Sequence, residues 1–304
     1  MSLNADSQSP ASAYLVAGAG GMLGTALQRV LTQRGAVFSA PSEGDFDITD
    51  PVVVRQQVGE FAAHLGPDTS GVLLNAAAYT NVEGAEDNEN LAYLVNAQGP
   101  AILARVAREQ GLAFAHVSTD FVFDGRKHGA YTEADDTNPL SVYGASKLAG
   151  ELAVVQEYPE AVIARTAWVF GPGGMNFPVK IVAAARTRPS LSVVTDEIGS
   201  PTYTLDLAAG LLALVDAGAS GLYHLAGSGS CSRYELARET LLLAGLGDVE
   251  VDPVTSDAFP MKAARPLNSV LDCSKALAIG VTMPEWTDAL SRFAASGELA
   301  SGAT

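Results

Sequence analysis

Two cysteines, Cys231 and Cys273, stand among 304 residues. That is too few for a disulfide framework in a chain of this size, and a reducing cytoplasm is the expectation. Histidine is as scarce. His64, His116, His128 and His224 are scattered, with none of the spacing of a transition-metal site. Positive charge is also in short supply, with 18 Lys and Arg against 34 Asp and Glu, a formal net charge of −16. Such a surface repels nucleic acid and anionic membranes, so neither is an expected partner. An anionic ligand would have to be met locally, by backbone N–H groups or a few placed Arg and Lys. No apolar run is long enough to span a bilayer. The opening MSLNADSQSPAS lacks the charged and apolar regions of a signal peptide, and residues 1–12 and 296–304 read as flexible tails.

What is abundant is apolar residue, 48% of the chain, and glycine, 30 of them. Both fit a compact α/β protein. Short apolar runs at 14–17, 36–39, 71–75, 113–118 and 161–165 alternate with helical stretches at 22–33, 51–65, 92–110 and 141–156. Asp50 is placed to cap the second helix and Gly111 to close the third. This alternation predicts a Rossmann-like, doubly wound parallel sheet with right-handed crossovers. Past Gly171-Pro172-Gly173-Gly174 the rhythm loosens. Residues 13–172 read as a nicotinamide-dinucleotide-binding domain, to which 203–228 return. Residues 173–202 and 229–295 read as a smaller substrate-binding region.

The loop Gly18-Ala19-Gly20-Gly21-Met22-Leu23-Gly24 follows the first strand and opens the first helix. Glycines there permit positive φ and a close backbone approach to a pyrophosphate at a helix N-terminus. The strict G-x-G-x-x-G pattern fails at Leu23, and Gly18, Gly21 and Gly24 keep a three-residue spacing instead. Where the second strand ends, near Ser39-Ala40, neither a ribose-binding acid nor an Arg for a 2′-phosphate appears, although Glu43 and Asp45 follow. NADH and NADPH both remain open.

Tyr143 and Lys147 stand four residues apart on a predicted helix and share one face. Reduction of a ketone by hydride needs a proton donor at the developing alkoxide. A free phenol has a pKa of about 10, and a neighbouring ammonium together with a cationic oxidised nicotinamide would be expected to lower it. Thr119 lies at the C-terminal end of its strand, where an open α/β sheet keeps its ligands, and its hydroxyl is placed to polarise a carbonyl. Strand alternation favours Thr119 over Ser118 for this role.

With these residues assembled, the chain resembles the extended short-chain dehydrogenase/reductases, and within them the dTDP-4-dehydrorhamnose reductase family. The matching segments include GAGGMLG at 18–24, NAAAYTNVEGAE at 75–86, VSTDFVFDG at 117–125, NPLSVYGASKLAGE at 138–151, VVTDEIGSPTYTLDLA at 193–208 and RPLNSVLD at 265–272. The likeness runs from about residue 14 to 290. It implies a catalytic trio of Thr119, Tyr143 and Lys147. It implies that Gly18, Gly21, Met22 and Leu23 cradle a pyrophosphate, that Asp47 and Ile48 lie near the adenine, and that Ala76, Ala77 and Tyr79 line the ribose side. Asp120, Trp168, Asn176, Ser200, Thr202 and Arg265 would lie toward a dTDP-linked keto-sugar, with the planar fork of Arg265 suited to a diphosphate. Magnesium, bound by some members, has no ligand cluster legible here, and the family pattern leaves monomer or homodimer open.

Two positions depart from the family, Ala167 where Ser is frequent and Glu197 where Gln is frequent. They bear on which sugar is taken. Sugar-nucleotide dehydratases resemble one another in carrying Asp-Glu after the Thr. Phe121 follows Thr119-Asp120 here, which disfavours elimination. Another nucleotide-linked deoxysugar, or a non-catalytic role like that of the regulatory subunit of methionine adenosyltransferase, stands as the alternative.

Overall fold

The computed structural model describes residues 11–297 and Leu299. Its centre is a six-stranded, wholly parallel sheet. Strands β1 (Ala11–Ala17), β2 (Val37–Ser39), β3 (Thr69–Asn75), β4 (Ala113–Thr119) and β5 (Val162–Thr166) are joined by a sixth, Gly221–His224. Across the sheet the order is Gly221–His224, β5, β4, β3, β1, β2. The order reverses at β1, so the crevice beyond the C-terminal ends of β1 and β3 is the place where such a sheet takes a ligand. Helix α1 (Met22–Gln33) and the Thr204–Asp216 helix cover one face around Leu27, Leu31, Leu207 and Leu211. Helix α2 (Pro51–Ala63), Gly99–Glu109 and Val142–Glu157 cover the other around Val54, Leu103 and Val154. Burial on both faces is why the strands read as continuous apolar runs rather than alternating ones.

The caps foreseen in the sequence are present. Asp50 Oδ1 accepts from the Val52 and Val53 amides, and Gly111 ends its helix at φ +68°. The predicted helix over 92–110 is a composite of Glu89–Tyr93, a π turn at Leu94–Gln98, and Gly99–Glu109. Asn96, inside the π turn, accepts from the Tyr79 amide (2.8 Å) and donates to the Tyr79 carbonyl (3.1 Å) and to Ser146 Oγ (3.0 Å). These three bonds aim the side chain at neighbouring elements, where a π bulge commonly marks function.

The remaining chain forms short pairings. Ser190–Val194 runs parallel to Glu250–Val254, and Ile198–Gly199 lies between Cys231–Ser232 and Asn268–Ser269. Phe170 and Tyr203 stack in its core, with Phe293 tilted against both. The N-terminal tail expectation needs correction at its edge. Residues 1–10 lie outside the described residues, but Ala11 and Ser12 pair with Thr69 and Ser70 in the sheet. At the other end Leu299 is buried against the Phe293 core rather than free, while residues 298 and 300–304 lie outside the described ones. No helix among the described residues is long and apolar enough to cross a membrane.

Candidate active site

A cavity of about 1360 Å³ opens at the sheet reversal, between the central sheet and the smaller region. A site for one small ligand occupies roughly 300–1,000 Å³, so this one has room for more than one. At its floor Gly18 adopts φ +78°, and a Cβ there would lie 2.4 Å from the Ala77 nitrogen. A Cβ on Gly24 would lie 2.1 Å from the Gly18 carbonyl oxygen. Both glycines are forced by contact, and the loop is thereby pressed against the exit of β3. Gly21 is the N-cap of α1 and supplies no side-chain cap, nor does the first turn carry an acid. The Gly21 amide donates to the Gly18 carbonyl (3.1 Å), which leaves the first amides of α1 without an intrahelical partner where Gly20, Gly21, Met22 and Leu23 line the cavity, a cradle suited to a pyrophosphate. The uncapped helix end and the close-packed glycines therefore fit a dinucleotide, with Asp47, Ile48, Ala76 and Ala77 along the same wall.

Thr119, Tyr143 and Lys147 converge on the cavity from β4 and the Val142–Glu157 helix. Ser141 caps that helix by accepting from the Gly144 amide, and a Cβ on Gly144 would strike the Phe121 carbonyl. The helix is thus seated hard against the turn after β4. Thr119 Oγ1 donates to Asp120 Oδ1 (2.9 Å) and accepts from the Phe121 amide (3.2 Å). The Phe121 ring meets Tyr143 edge-on at 5.4 Å, so an aromatic stands where a dehydratase-like acid would.

Lys147 is 2% exposed. Its ammonium donates to the Val117 carbonyl (2.7 Å) and faces His116 Nε2 at 3.4 Å. Burial pushes Lys147 down to about 8, opposed by Glu151. The Lys147 ammonium alone does not lower the Tyr143 phenol. Burial pushes it up to about 12, against the Thr119 hydroxyl and with the Asp120 carboxylate adding to the rise. Burial outweighs the Lys147 ammonium, which is bonded to the Val117 carbonyl in β4. Asp120, 2% exposed, is itself pushed up to about 6 by burial, and its Oδ2 has no hydrogen-bond partner among the described residues.

Behind the trio lies a buried ion pair. Arg165 grips Glu151 with two bonds (2.9 and 2.7 Å), and Ser118 Oγ donates to the same carboxylate. Ser118 is thereby committed to Glu151, while Thr119 is left for the cavity.

Other expected site residues are placed unevenly. Trp168 and Arg265 line the cavity. Asn176 reaches it, but its amide is spent on the Gly171 and Gly174 carbonyls and on capping the Phe177–Ala185 helix. Ser200, Thr202 and Tyr79 do not line it. The Ser200 hydroxyl donates to the Gly229 carbonyl, and Thr202 bridges the Ser200 carbonyl and the Gly227 amide. Tyr79 is held away by Asn96. Arg233, absent from the sequence reading, lines the cavity beside Trp168. Its Ser232-x-x-Glu235 capping box signals a helix start, but not where Arg233 points. Among the described residues no group of three or more His, Cys, Asp or Glu is placed to hold a metal ion.

A glycine cradle at the reversal of a parallel sheet, faced by a buried lysine and a protonated phenol, defines a nicotinamide-dependent short-chain reductase. The chain belongs to the family described as the RmlD substrate binding domain, matched over residues 13–298. It is 41% identical over 284 residues to a dTDP-4-dehydrorhamnose reductase of Mycobacterium tuberculosis, covering 91% of this chain and 90% of that protein. It is 40% identical over 281 residues to a dTDP-4-keto-6-deoxy-D-glucose reductase of Streptomyces niveus, covering 92% and 95%. A solved dTDP-4-dehydrorhamnose reductase from Bacillus anthracis, in complex with NADP, superposes with a TM-score of 0.87 at 34% identity, covering 94% and 99%.

Proposed function

We propose that this chain reduces the 4-keto group of a dTDP-4-keto-6-deoxyhexose, converting dTDP-4-dehydro-L-rhamnose to dTDP-L-rhamnose. The observation that carries the reading is the convergence of Thr119, Tyr143 and Lys147 on a cavity whose far end is the glycine cradle. Membership of a family whose curated relatives reduce such sugars supports it.

When bound, the nicotinamide cofactor supplies the hydride. The remaining work falls to side chains. Gly18, Gly21, Met22 and Leu23 receive the pyrophosphate. Thr119 orients the ketone oxygen, exchanging its bond to Asp120 for one to the substrate. Tyr143, with its pKa pushed up to about 12, is protonated at neutral pH and delivers its proton to the oxygen that becomes the hydroxyl. Lys147, charged below about pH 8, would hold the cofactor's ribose and offset the charge of the phenolate left behind from one helical turn away. Phe121 offers no acid or base for elimination.

The test is loss of nicotinamide absorbance with dTDP-4-dehydrorhamnose made in situ, and identification of the product. Rapid oxidation yielding dTDP-rhamnose supports the reading. Turnover of only dTDP-4-keto-6-deoxyglucose would replace the substrate, and no turnover by a cofactor-binding protein would favour a regulatory role.

A further inference from the structure

Arg233 begins the Arg233–Leu243 helix, and nothing in the sequence marked it as part of a site. Its guanidinium carbon lies 3.4 Å over the Trp168 ring and 5.1 Å from that of Phe177. Its Nε faces Glu197 Oε2 at 3.3 Å, and its amide donates to the Glu197 carbonyl (3.1 Å). Nη1 and Nη2 find no hydrogen-bond partner among the described residues, although the side chain lines the cavity.

The stack beneath it is fixed from the other side. Trp168 holds φ +45°, the one non-glycine residue at positive φ among the described residues. A Cβ on Gly199 would come within 2.3 Å of its indole. Backbone strain of this kind persists only where surroundings impose it. Gly199, Trp168 and Arg233 are therefore layered, and the outermost layer is a planar cation with a free fork.

Arg265 lines the same cavity, anchored by Glu83 at 2.6 Å. Burial lowers the pKa of Arg233, the Glu197 and Asp120 carboxylates oppose it, and Arg265 adds the smallest lowering. In a protein with a net charge of −16, two guanidinium groups lining one cavity, each held by a single carboxylate, offer a dianion paired N–H donors.

We infer that Arg233 is a binding residue for the diphosphate of the sugar nucleotide, its Nη fork closing on the phosphate oxygens opposite Arg265. This rests on the proposed substrate class. Glu197, which departs from the family's frequent Gln, orients the fork through Nε and offsets part of its charge. Planar N–H forks match phosphate oxygens in a way that an ammonium does not.

The experiment is calorimetric binding of dTDP and dTMP to the full chain and to Arg233→Gln, Arg233→Lys and Glu197→Gln, with NADH binding as the check on folding. Arg233→Gln should weaken dTDP on the order of tenfold to a hundredfold and dTMP less, with the lysine variant between. KM for the keto-sugar nucleotide should rise in parallel while kcat moves little. Glu197→Gln, which keeps an acceptor for Nε but removes a carboxylate near the dianion, should tighten dTDP several-fold. Unchanged dTDP affinity in Arg233→Gln would overturn the inference, as would unchanged or weaker affinity in Glu197→Gln if the arginine variants lose NADH binding. A wild-type chain that binds neither dTDP nor the keto-sugar would instead overturn the substrate reading.

Discussion

His116 Nε2 faces Lys147 Nζ at 3.4 Å inside the protein, and the tautomer of that imidazole is set by Asn75 on its other side. Asn75 Oδ1 accepts the Ala77 amide (3.0 Å), which turns its Nδ2 toward His116 Nδ1 (2.9 Å). Nδ1 must accept, so the ring proton sits on Nε2 and meets the ammonium with like polarity. Burial disfavours charge on Lys147 against Glu151, and burial together with the Lys147 ammonium holds His116 well below the usual imidazole range.

A basic limb in the pH profile follows. Lys147, pushed down to about 8, is an ammonium below that pH and loses its charge as pH rises through it. Reductive kcat/KM should therefore be flat toward neutral pH and fall above about 8. Measurement across pH 6 to ~10 checks this, and Lys147→Met should lower the rate and abolish the limb.

Removing the phenol isolates the proton transfer. Tyr143→Phe keeps the ring against Phe121 and deletes only the donor. Turnover should fall by a factor on the order of a hundred or more, with cofactor affinity nearly unchanged. Steady-state kinetics with fluorescence titration of the nicotinamide separates the two.

Asp120 links the site to stability. Its folded pKa is raised from 3.8 to about 6, so the folded protein holds this proton where the unfolded chain has lost it. The burial cost is absent below about pH 4, grows between 4 and 6, and is complete above 6. That difference corresponds to at most about 3 kcal/mol. Asp120→Asn should therefore gain stability over the wild type as pH rises through this window and converge with it in acid, as urea melts at several pH values would read.

The ion pair behind the site also bears on stability. Arg165 and Glu151 are 4% and 6% exposed, and Glu151 also receives Ser118. Glu151→Gln leaves a buried guanidinium without its counter-charge and should cost about 3–5 kcal/mol. A thermal melt checks this.

How much of this was legible in the sequence depends on range. The glycine loop, the caps at Asp50 and Gly111, and the Tyr143–Lys147 spacing are local, and local sterics decide them. The π turn adds nothing that a 3.6-residue period reveals, because its cause is Asn96 reaching Tyr79 and Ser146. Ser200 and Thr202 sit beside two-residue strands, too short for alternation to say which way a hydroxyl points, and both turn to backbone. Arg233 joins the site only through Trp168 and Glu197, contacts made by tertiary packing alone.

Cofactor choice turns on charge along the first half of the cavity. From Gly18 to Val95 its charged lining residues are Glu43 and Asp47, with no Lys or Arg among the described ones. The second loop position of the glycine cradle is Ala19 and the third Gly20, so no cation stands there either. A 2′-phosphate would carry its extra charge into this acidic wall, whereas a free ribose hydroxyl can donate to a carboxylate. NADH should accordingly be used with kcat/KM no lower than NADPH, a contrast with the relative solved with NADP. Raising ionic strength should narrow the difference by screening the carboxylates. Parallel kinetics with both cofactors at low and high salt decide it: a clear NADPH preference would mean that a cation reaches the 2′ position from beyond these walls.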